Sequence, residues 1–187
     1  MFLVDYPLFP GFVLGTIHGE SKANASAETL AEEAKQMMSE ARRECLRVGR
    51  QQLLLVGDFN MNPFDKGMMY AGYFHAVMDK RVASRGSRKI QSEEYPMMYS
   101  PMWSFLGDYP SGPSGTFYHS PAEHETAHWH VIDQFLMSPA LLKLAEITEL
   151  EIVSNDGVES FLRKSGLIRG DEFSDHLPIR VKLQSNR

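Results

Sequence analysis

The run Leu53–Val56 constrains the fold more than any other stretch of this sequence. Its four consecutive apolar residues are bounded by polar residues on one side and by Gly57 on the other. A continuous apolar run of this length is typical of a strand that is buried on both faces of a sheet. Because both faces of such a sheet must be covered, the run predicts a layered α/β fold.

The remaining apolar patterns predict further strands and helices. A β-branched, apolar run over residues 12–18 predicts a strand that ends at His18. Residues 26–48 carry an apolar residue at every third or fourth position, which predicts an amphipathic helix. Pro63 is expected to open a second helix that runs to about Met78. Strands are also predicted over 129–137, 146–153 and 176–183, and polar or Gly/Pro-rich loops over 80–95 and 107–115.

Composition indicates one ordinary globular domain over residues 1–187. The chain is 43% hydrophobic and 23% charged, which is enough apolar material for a real core. Cys45 is its single cysteine, so an internal disulfide framework is excluded and a reducing bacterial cytoplasm is the expected location. The formal charge of −5 argues against a protein that coats nucleic acid, although a local basic patch could still contact it.

The first twelve residues are apolar without the features of a targeting segment. No Lys or Arg precedes Lys22, and the stretch contains Pro7 and Pro10. It is also too short to cross a bilayer. We therefore expect neither a signal peptide nor a membrane anchor, and the chain is expected to enter its fold partway through.

Residues 124–128 have the H-E-x-x-H spelling of zinc proteases, with Glu125 after the first histidine. That pattern binds zinc on a helix, where positions i and i+4 share one face. Pro121 precedes it closely and the apolar run 129–137 follows at once, which favours a loop entering a strand. A zinc metalloprotease stays as the third hypothesis, because a distant third ligand is available from Glu146, Glu149 or Glu151.

Three other motifs stand in order along the chain, each at the end of a predicted strand. They are GDFNMNP (57–63), VIDQFLMS (131–138) and SDHLPI (174–179), and GTIH (15–18) precedes them. This ordered set resembles the endonuclease/exonuclease/phosphatase superfamily, the fold of pancreatic deoxyribonuclease, abasic-site endonucleases, sphingomyelinases and inositol-polyphosphate phosphatases. The resemblance covers most of the chain from about residue 12 onward. It implies a four-layer α/β/β/α sandwich of the deoxyribonuclease-like type, with two sheets packed face to face and helices outside.

The chemistry of phosphoester hydrolysis explains why such motifs would be gathered. The reaction needs an activated water and stabilisation of the negative charge that develops on the phosphate and leaving oxygens. Carboxylates with Mg²⁺ or Mn²⁺ supply both at neutral pH. By resemblance, Asp58 and Asn60 orient the attacking water and the phosphate. Asp58 is then a candidate base or second-metal ligand.

The resemblance also implies roles for the residues of the other motifs. Asp175 matches a metal-ligand aspartate, and His176 matches the histidine that contacts the scissile phosphate. Asp133 matches the carboxylate that fixes the tautomer and charge of that imidazole, as in other hydrolases. His18 matches a second phosphate-facing histidine of the deoxyribonuclease and phosphatase branches.

Two metal-site residues of complete family members have no counterpart here. Those members begin with a strand that carries an asparagine and, some tens of residues later, a glutamate that is a principal Mg²⁺ ligand. His18 comes too early to leave room for them, and neither Asp5 nor Glu20 stands in a matching context. The chain thus resembles the C-terminal two thirds of a domain whose N-terminal strands are absent. A homodimer or a partner is expected to cover the incomplete sheet.

Each candidate also has a plainer interpretation. Asp58 could form a turn or cap the next element, and Asp175 and His176 could cap the last strand. Four further histidines are interpreted as surface or loop residues: His119, His124, His128 and His130. A basic cluster is either a solvated loop or a set of contacts to a substrate backbone, and it comprises Lys80, Arg81, Arg85, Arg88 and Lys89.

The sequence therefore predicts a divalent-metal-dependent phosphoester hydrolase, most simply a phosphodiesterase or endonuclease that acts on DNA or RNA. A phosphomonoesterase of a small phosphorylated molecule or lipid is the alternative within the same chemistry. An interaction module that keeps the fold and has lost catalysis is the alternative from another class. The substrate itself is not predicted, because specificity in such folds lies in loops.

Overall fold

The structure is a computed structural model that describes residues 1–21, 25–107, 112–120, 124 and 127–186. Its strands are β1 (Phe2–Tyr6), β2 (Phe9–His18), β3 (Leu53–Asp58), β4 (Ala76–Val77), β5 (Ser87–Ile90), β6 (Glu93–Pro96), β7 (Met98–Tyr99), β8 (Phe117–Tyr118), β9 (Trp129–His130), β10 (Asp133–Met137), β11 (Ala145–Ile152) and β12 (Ile179–Ser185). Its helices are α1 (Ala27–Arg47), α2 (Lys66–Met69), α3 (Lys80–Ala83) and α4 (Pro139–Leu142), and a 3₁₀ helix spans Pro101–Phe105.

A six-stranded sheet in the order β1-β2-β3-β10-β7-β4 forms the centre of this mixed α/β fold. β2 and β3 run parallel, and β10 runs antiparallel to β3. The carboxyl ends of β2 and β3 and the amino end of β10 therefore lie at the same end of the sheet. That end carries the candidate site.

The predicted buried strand is confirmed as β3. Leu53, Leu54 and Leu55 are buried, and they contact both hydrophobic clusters of the described residues. Leu53 and Leu55 belong to the cluster beneath α1, whereas Leu54 belongs to the cluster on the opposite face. The alternation shows why a strand between two layers is apolar at successive positions.

α1 covers one face of the sheet and confirms the predicted amphipathic helix. The Ser26 hydroxyl caps it by accepting a hydrogen bond from the Thr29 N–H at 3.2 Å. One stripe of α1 is buried against the sheet, and it comprises Leu30, Ala31, Ala34, Met38, Ala41 and Cys45. Gly49 follows the helix with a left-handed φ of 66°, the conformation that commonly ends helices.

The two-stranded antiparallel sheet of β11 and β12 covers the opposite face of the central sheet and confirms the two strands predicted there. Its inner residues, among them Ile147, Ile179 and Val181, pack on the cluster that contains Leu54 and Phe135. Its outer face carries the ion pairs Lys182–Glu149 and Arg180–Glu151. Helix α1, the central sheet and the β11–β12 sheet make three layers, and the fourth layer stays a prediction.

The predicted helix over residues 63–78 is wrong. α2 covers Lys66–Met69 alone, and the chain then turns through Gly72 at a φ of 90°. Phe74 is fully buried and packs edge-on against Phe59 at 5.1 Å. The apolar residues at helical spacing are therefore buried from separate turns of the chain. This burial in the core overrides a weak preference for helix.

The expectation of a loop over residues 80–95 is also wrong. Asp79 caps α3 by accepting hydrogen bonds from the N–H groups of Arg81 and Val82. β5 and β6 then form a hairpin whose turn contains Gln91 at a φ of 56°. Most of this hairpin is exposed, so its sequence lacks the apolar alternation that reveals a strand. In the other predicted loop, residues 108–111 lie outside the described part of the chain.

β1 forms the edge of the sheet and exposes apolar side chains. Phe2, Leu3 and Tyr6 are exposed, and Leu8 in the turn to β2 is 96% exposed. Within the described ranges, we find no helix that combines the length and the apolar character needed to cross a membrane.

Candidate functional site

Three predicted site residues meet where β2, β3 and β10 come together. In the parallel β2–β3 ladder His18 lies beside Asp58, and in the antiparallel β3–β10 ladder Asp58 lies opposite Asp133. Residues paired directly across a ladder have side chains on the same face. The structure thus brings into one row residues that lie far apart in the sequence.

Asn60 holds the carboxylate of Asp58. Its backbone N–H donates to Asp58 Oδ1 at 2.8 Å, and its side-chain Nδ2 donates to Asp58 Oδ2 at 3.0 Å. Nδ2 also donates to the Gly19 carbonyl at 2.9 Å. Asn60 has a φ of 51°, a left-handed conformation that asparagine tolerates better than most residues. The tight turn therefore orients both oxygens of Asp58.

Gly57 allows β3 to approach β2 just before this turn. Its φ is 140°, and a Cβ at this position would lie 2.1 Å from the Ile17 carbonyl oxygen. Any side chain here would push apart the two strands that carry His18 and Asp58.

His176 and Asp133 form a hydrogen-bonded pair. His176 Nδ1 lies 2.9 Å from Asp133 Oδ2. Their side chains are 26% and 15% exposed, respectively. Because an ionised carboxylate only accepts, the ring proton of this contact belongs to Nδ1. His176 Nε2 is then the nitrogen available for chemistry, as in other orienting pairs of hydrolases.

The site shifts the pKa of two of these groups upward. The hydrogen bond to Asp133 raises the pKa of His176, with the nearby negative charges adding to it and burial opposing it. Burial raises the pKa of Asp58, the hydrogen bond from Asn60 opposes this, and the charge of Asp133 raises it further. His176 therefore holds its proton to higher pH, while Asp58 is a stronger base than an exposed aspartate.

The same residues can hold a metal ion. Among the described residues, the ligand atoms of Asp58, Asp133 and His176 lie within 4.8 Å of one another. Carboxylate oxygens are the ligands that suit Mg²⁺ and Mn²⁺. The donor set thus fits either ion through Asp58 and Asp133, with the Nδ1 atom of His176 engaged by Asp133.

Other predicted site residues stand apart from this group. Asp175 is exposed and does not belong to the metal-ligand group, although its charge contributes to the raised pKa of His176. His18 is exposed at the end of β2, beside Asp58.

Within the described residues, no cation of the basic cluster forms an ion pair with Asp58 or Asp133. Lys80 pairs with Glu146 and Arg81 with Asp79, so both cations engage other acidic groups. The cations of the β5–β6 hairpin, Arg88 and Lys89 among them, precede β7. β7 pairs with β10 at Met137. Met137 and Asp133 are the two ends of β10, four residues or about 13 Å apart along the strand.

The H-E-x-x-H segment is described only in part. His124, Ala127 and His128 carry no helix, while Glu125 and Thr126 lie outside the described residues. The backbone N–H of His119 donates to the His128 carbonyl at 2.8 Å. The described residues of this segment thus form no helix, and β9 begins directly after them at Trp129.

Thr116 connects the backbone at Asp133 to the backbone beside His176, a role that sequence analysis did not predict. Its buried hydroxyl accepts from the N–H groups of Ile132 and Asp133, each at 3.2 Å. Its carbonyl accepts from the Leu177 N–H at 2.7 Å. Thr116 therefore fixes the backbone beside Asp133 and beside His176. A threonine after a Gly-rich stretch has no distinguishing pattern, so only the fold reveals this contact.

Comparison with known proteins identifies no family for this chain. No family model matches it, and no curated protein matches it. The solved structures that are similar include the following two. One is a functionally unknown conserved protein from Enterococcus faecalis V583, with a TM-score of 0.49, 14% identity and 96% of this chain covered.

The other is an endonuclease/exonuclease/phosphatase family protein from Bacteroides thetaiotaomicron, with a TM-score of 0.49, 17% identity and 92% of this chain covered. The chain spans about half the length of these proteins, 52% and 49% respectively. At this TM-score and identity, neither likeness establishes the fold or the function of this chain.

Proposed function

We propose that this chain is a metal-dependent phosphoester hydrolase whose reacting groups are His176, Asp133 and Asp58, with His18 beside them. The observation that carries the proposal is the His176–Asp133 hydrogen bond at 2.9 Å next to the carboxylate of Asp58. The resemblance of the four strand-end motifs to the endonuclease/exonuclease/phosphatase superfamily supports the same reaction.

In this proposal each residue acts on a stated atom. Asp58 orients the attacking water and takes its proton through one carboxylate oxygen, which leaves the other oxygen for a metal ion. His176 directs Nε2 at the phosphate and donates a hydrogen bond to an oxygen as negative charge develops. Asp133 keeps that imidazole oriented and charged, because its carboxylate accepts the Nδ1 proton. His18 serves as a second donor to the phosphate.

A divalent ion fits beside these groups. Asp58 and Asp133 would hold Mg²⁺ or Mn²⁺, which would neutralise phosphate charge and acidify the attacking water. Asp175, exposed next to His176, is proposed as a further ligand on the strength of the resemblance.

A phosphodiester is the proposed substrate, with a nucleic acid favoured over a small phosphomonoester. The site lies at an open strand end where His18 is exposed, so an extended chain can reach it. The nearest cations on either side of His176 in sequence already have acidic partners: Arg169 pairs with Glu172 and Arg180 with Glu151. A doubly charged monoester thus has little cationic support from this segment, whereas a diester carries less charge.

The test is hydrolysis of bis(p-nitrophenyl) phosphate and of p-nitrophenyl phosphate with Mg²⁺ or Mn²⁺, in wild type and in His176→Ala. We expect the diester to be cleaved faster, and the variant to lose on the order of 10³-fold or more in rate. His124→Ala is the matched control, because His124 is exposed and belongs to the H-E-x-x-H segment.

Three outcomes separate the alternatives. Faster cleavage of the monoester would favour a phosphomonoesterase. A folded chain that cleaves neither ester would favour an interaction module. Peptide cleavage that is lost in His124→Ala would revive the zinc protease.

A further inference from the structure

A row of aromatic and imidazole rings extends from His176 along the surface. Phe117 pairs with His130 in the β8–β9 ladder and with His176 through an isolated bridge. Directly paired residues have side chains on one face, so the three rings lie side by side with Phe117 in the middle. The Phe117 ring centroid lies 4.9 Å from that of His176 and 6.2 Å from that of His130. We call His176, Phe117 and His130 the ring row.

His119 extends the row on the same face. It follows Phe117 by two residues, and the two rings are stacked at 6.1 Å with only 15° between their planes. The intervening Tyr118 points to the other face, where it packs edge-on against Trp129 at 5.2 Å. The two faces of this short ladder are thus different in chemistry.

Both ends of the ring row are held in place. Asn62 is buried, and its Oδ1 accepts from the Val131 N–H at 3.0 Å. Its Nδ2 must then face His130 Nδ1, 3.1 Å away, and donate to it. The ring proton of neutral His130 therefore lies on Nε2. At the other end, Asp133 holds His176 through Nδ1. Phe117 is half-buried between two oriented imidazoles.

We infer that Phe117 is the stacking surface for a nucleobase of the substrate, next to the phosphate that His176 contacts. The inference rests on the proposed function and extends it to a substrate class. A phosphate held at His176 places its substituents within one ring width of Phe117. A nucleobase offers a π face to the Phe117 ring and polar edges to the flanking imidazoles. A lipid chain has no π face and would make only apolar contact with the Phe117 ring.

The test uses dithymidylate and its two analogues in which one deoxyribose carries no base. In wild type, removal of the base that stacks on Phe117 should lower kcat/KM on the order of tenfold. Phe117→Ala should lower kcat/KM for dithymidylate by the same factor, mainly through KM, and should not change it for that analogue. Phe117→Trp should restore the preference for the base.

The matched control is Tyr118→Ala, the neighbouring ring on the opposite face of the same ladder. It should leave the base preference intact. If Phe117→Ala fails to fold, Phe117→Leu against Tyr118→Leu gives the same comparison. An equal loss on dithymidylate and both analogues would assign Phe117 a purely structural role and overturn the inference. Cleavage of both analogues at least as fast as that of dithymidylate would also overturn it.

A binding measurement separates this inference from the proposed hydrolysis. If wild type cleaves none of the three compounds, calorimetry with thymidine 3′,5′-bisphosphate and deoxyribose 5-phosphate decides. Tighter binding of the thymidine compound that is lost in Phe117→Ala would support the stacking surface, although hydrolysis had failed. Equal binding of the two compounds, or binding that Phe117→Ala leaves unchanged, would overturn the inference.

Discussion

At the scale of single residues, the site depends on groups that orient other groups. Asp133 fixes His176, Asn60 fixes Asp58, and Thr116 fixes the backbone on which Asp133 stands. Each orienting group satisfies hydrogen bonds that would otherwise be lost in a partly buried place. Loss of one such group should therefore change the chemistry of its partner before it changes the fold.

Asp133→Asn is expected to lower the pKa of His176. The carboxylate that raises this pKa is removed, while burial, which lowers it, remains. Titration of the His176 ring followed by NMR measures the shift, and the hydrolysis rate should fall by roughly 10³–10⁴-fold. Asp5→Asn, at an exposed carboxylate paired with Arg50, is the control. A His176 pKa unchanged in Asp133→Asn would contradict this account of the pair.

His75 should make the fold sensitive to acid. Burial lowers the pKa of His75 below its ordinary 6.5, so the folded chain binds this proton more weakly than the unfolded chain. Stability is then lost as the pH falls through the unfolded value near 6.5. His75→Asn removes the titrating ring and should flatten the fall in unfolding free energy between pH 7.5 and 5.5. Asparagine is chosen because it tolerates the φ of 51° at this position.

Urea unfolding at several pH values measures the effect of His75. His119→Asn, at an exposed histidine, serves as the comparison and should keep the slope of wild type. Equal slopes for wild type and His75→Asn would show that His75 does not cause the acid sensitivity.

The site residues that border strong apolar runs were predictable from the sequence. Asp58 and Asp133 adjoin β3 and β10, whose burial fixes where those runs lie. Thr116, Phe117 and Asn62 were missed, because their roles come from contacts between segments that no local pattern joins. Phe117 acquires its neighbours through the β8–β9 ladder and through a bridge to His176, 59 positions farther along the chain.

At the scale of elements, short segments are held by side chains from elsewhere. Ser138 caps α4, accepts from the Leu53 N–H at 2.9 Å and donates to the Gln51 carbonyl at 3.0 Å. One hydroxyl therefore joins the end of β10 to the start of β3. This contact keeps in register the two strands that carry Asp58 and Asp133.

Ser138→Ala should destabilise the fold by about 1–3 kcal/mol, because it leaves buried backbone groups without their partner. The free energy of unfolding in urea measures the loss. Ser84→Ala, which removes an exposed hydroxyl that donates to Lys80, should cost less than about 0.5 kcal/mol. Equal costs for the two variants would contradict the role assigned to Ser138.

Elements were predictable where burial acts on one continuous segment. α1 and β3 follow from their own periodicity, because each packs a single face or run into the core. The helix expected over 63–78 fails since Met68 and Phe74 reach the core from separate turns. The β5–β6 hairpin was missed for the opposite reason, because little of it is buried and its pairing leaves no apolar signal.

At the scale of the whole molecule, the free edge of β1 is the main exposed apolar feature. β1 ends the six-stranded sheet, and no strand of the described residues pairs with its outer edge. An exposed apolar edge without Lys or Pro promotes pairing with another chain. This surface is where the expected homodimer or partner would bind.

We expect the chain to self-associate through β1, and Leu3→Lys to shift it toward the monomer. A charge on the strand opposes pairing of two like edges. Light scattering over a range of concentrations measures the change. Leu46→Lys is the matched control, because Leu46 is 82% exposed and belongs to α1 rather than to β1. A wild-type chain that is monodisperse as a monomer would contradict this expectation.

In the proposed function, the strand ends of the sheet assemble a metal-assisted hydrolytic site. Calorimetric titration of the metal-free chain with Mn²⁺, in wild type and in Asp58→Asn, tests it most directly. We predict one Mn²⁺ site in wild type and none in Asp58→Asn, because Asp58 and Asp133 supply the carboxylates of the cluster. A folded wild-type chain that binds no Mn²⁺, or an Asp58→Asn variant that binds it as well as wild type, would contradict the claim.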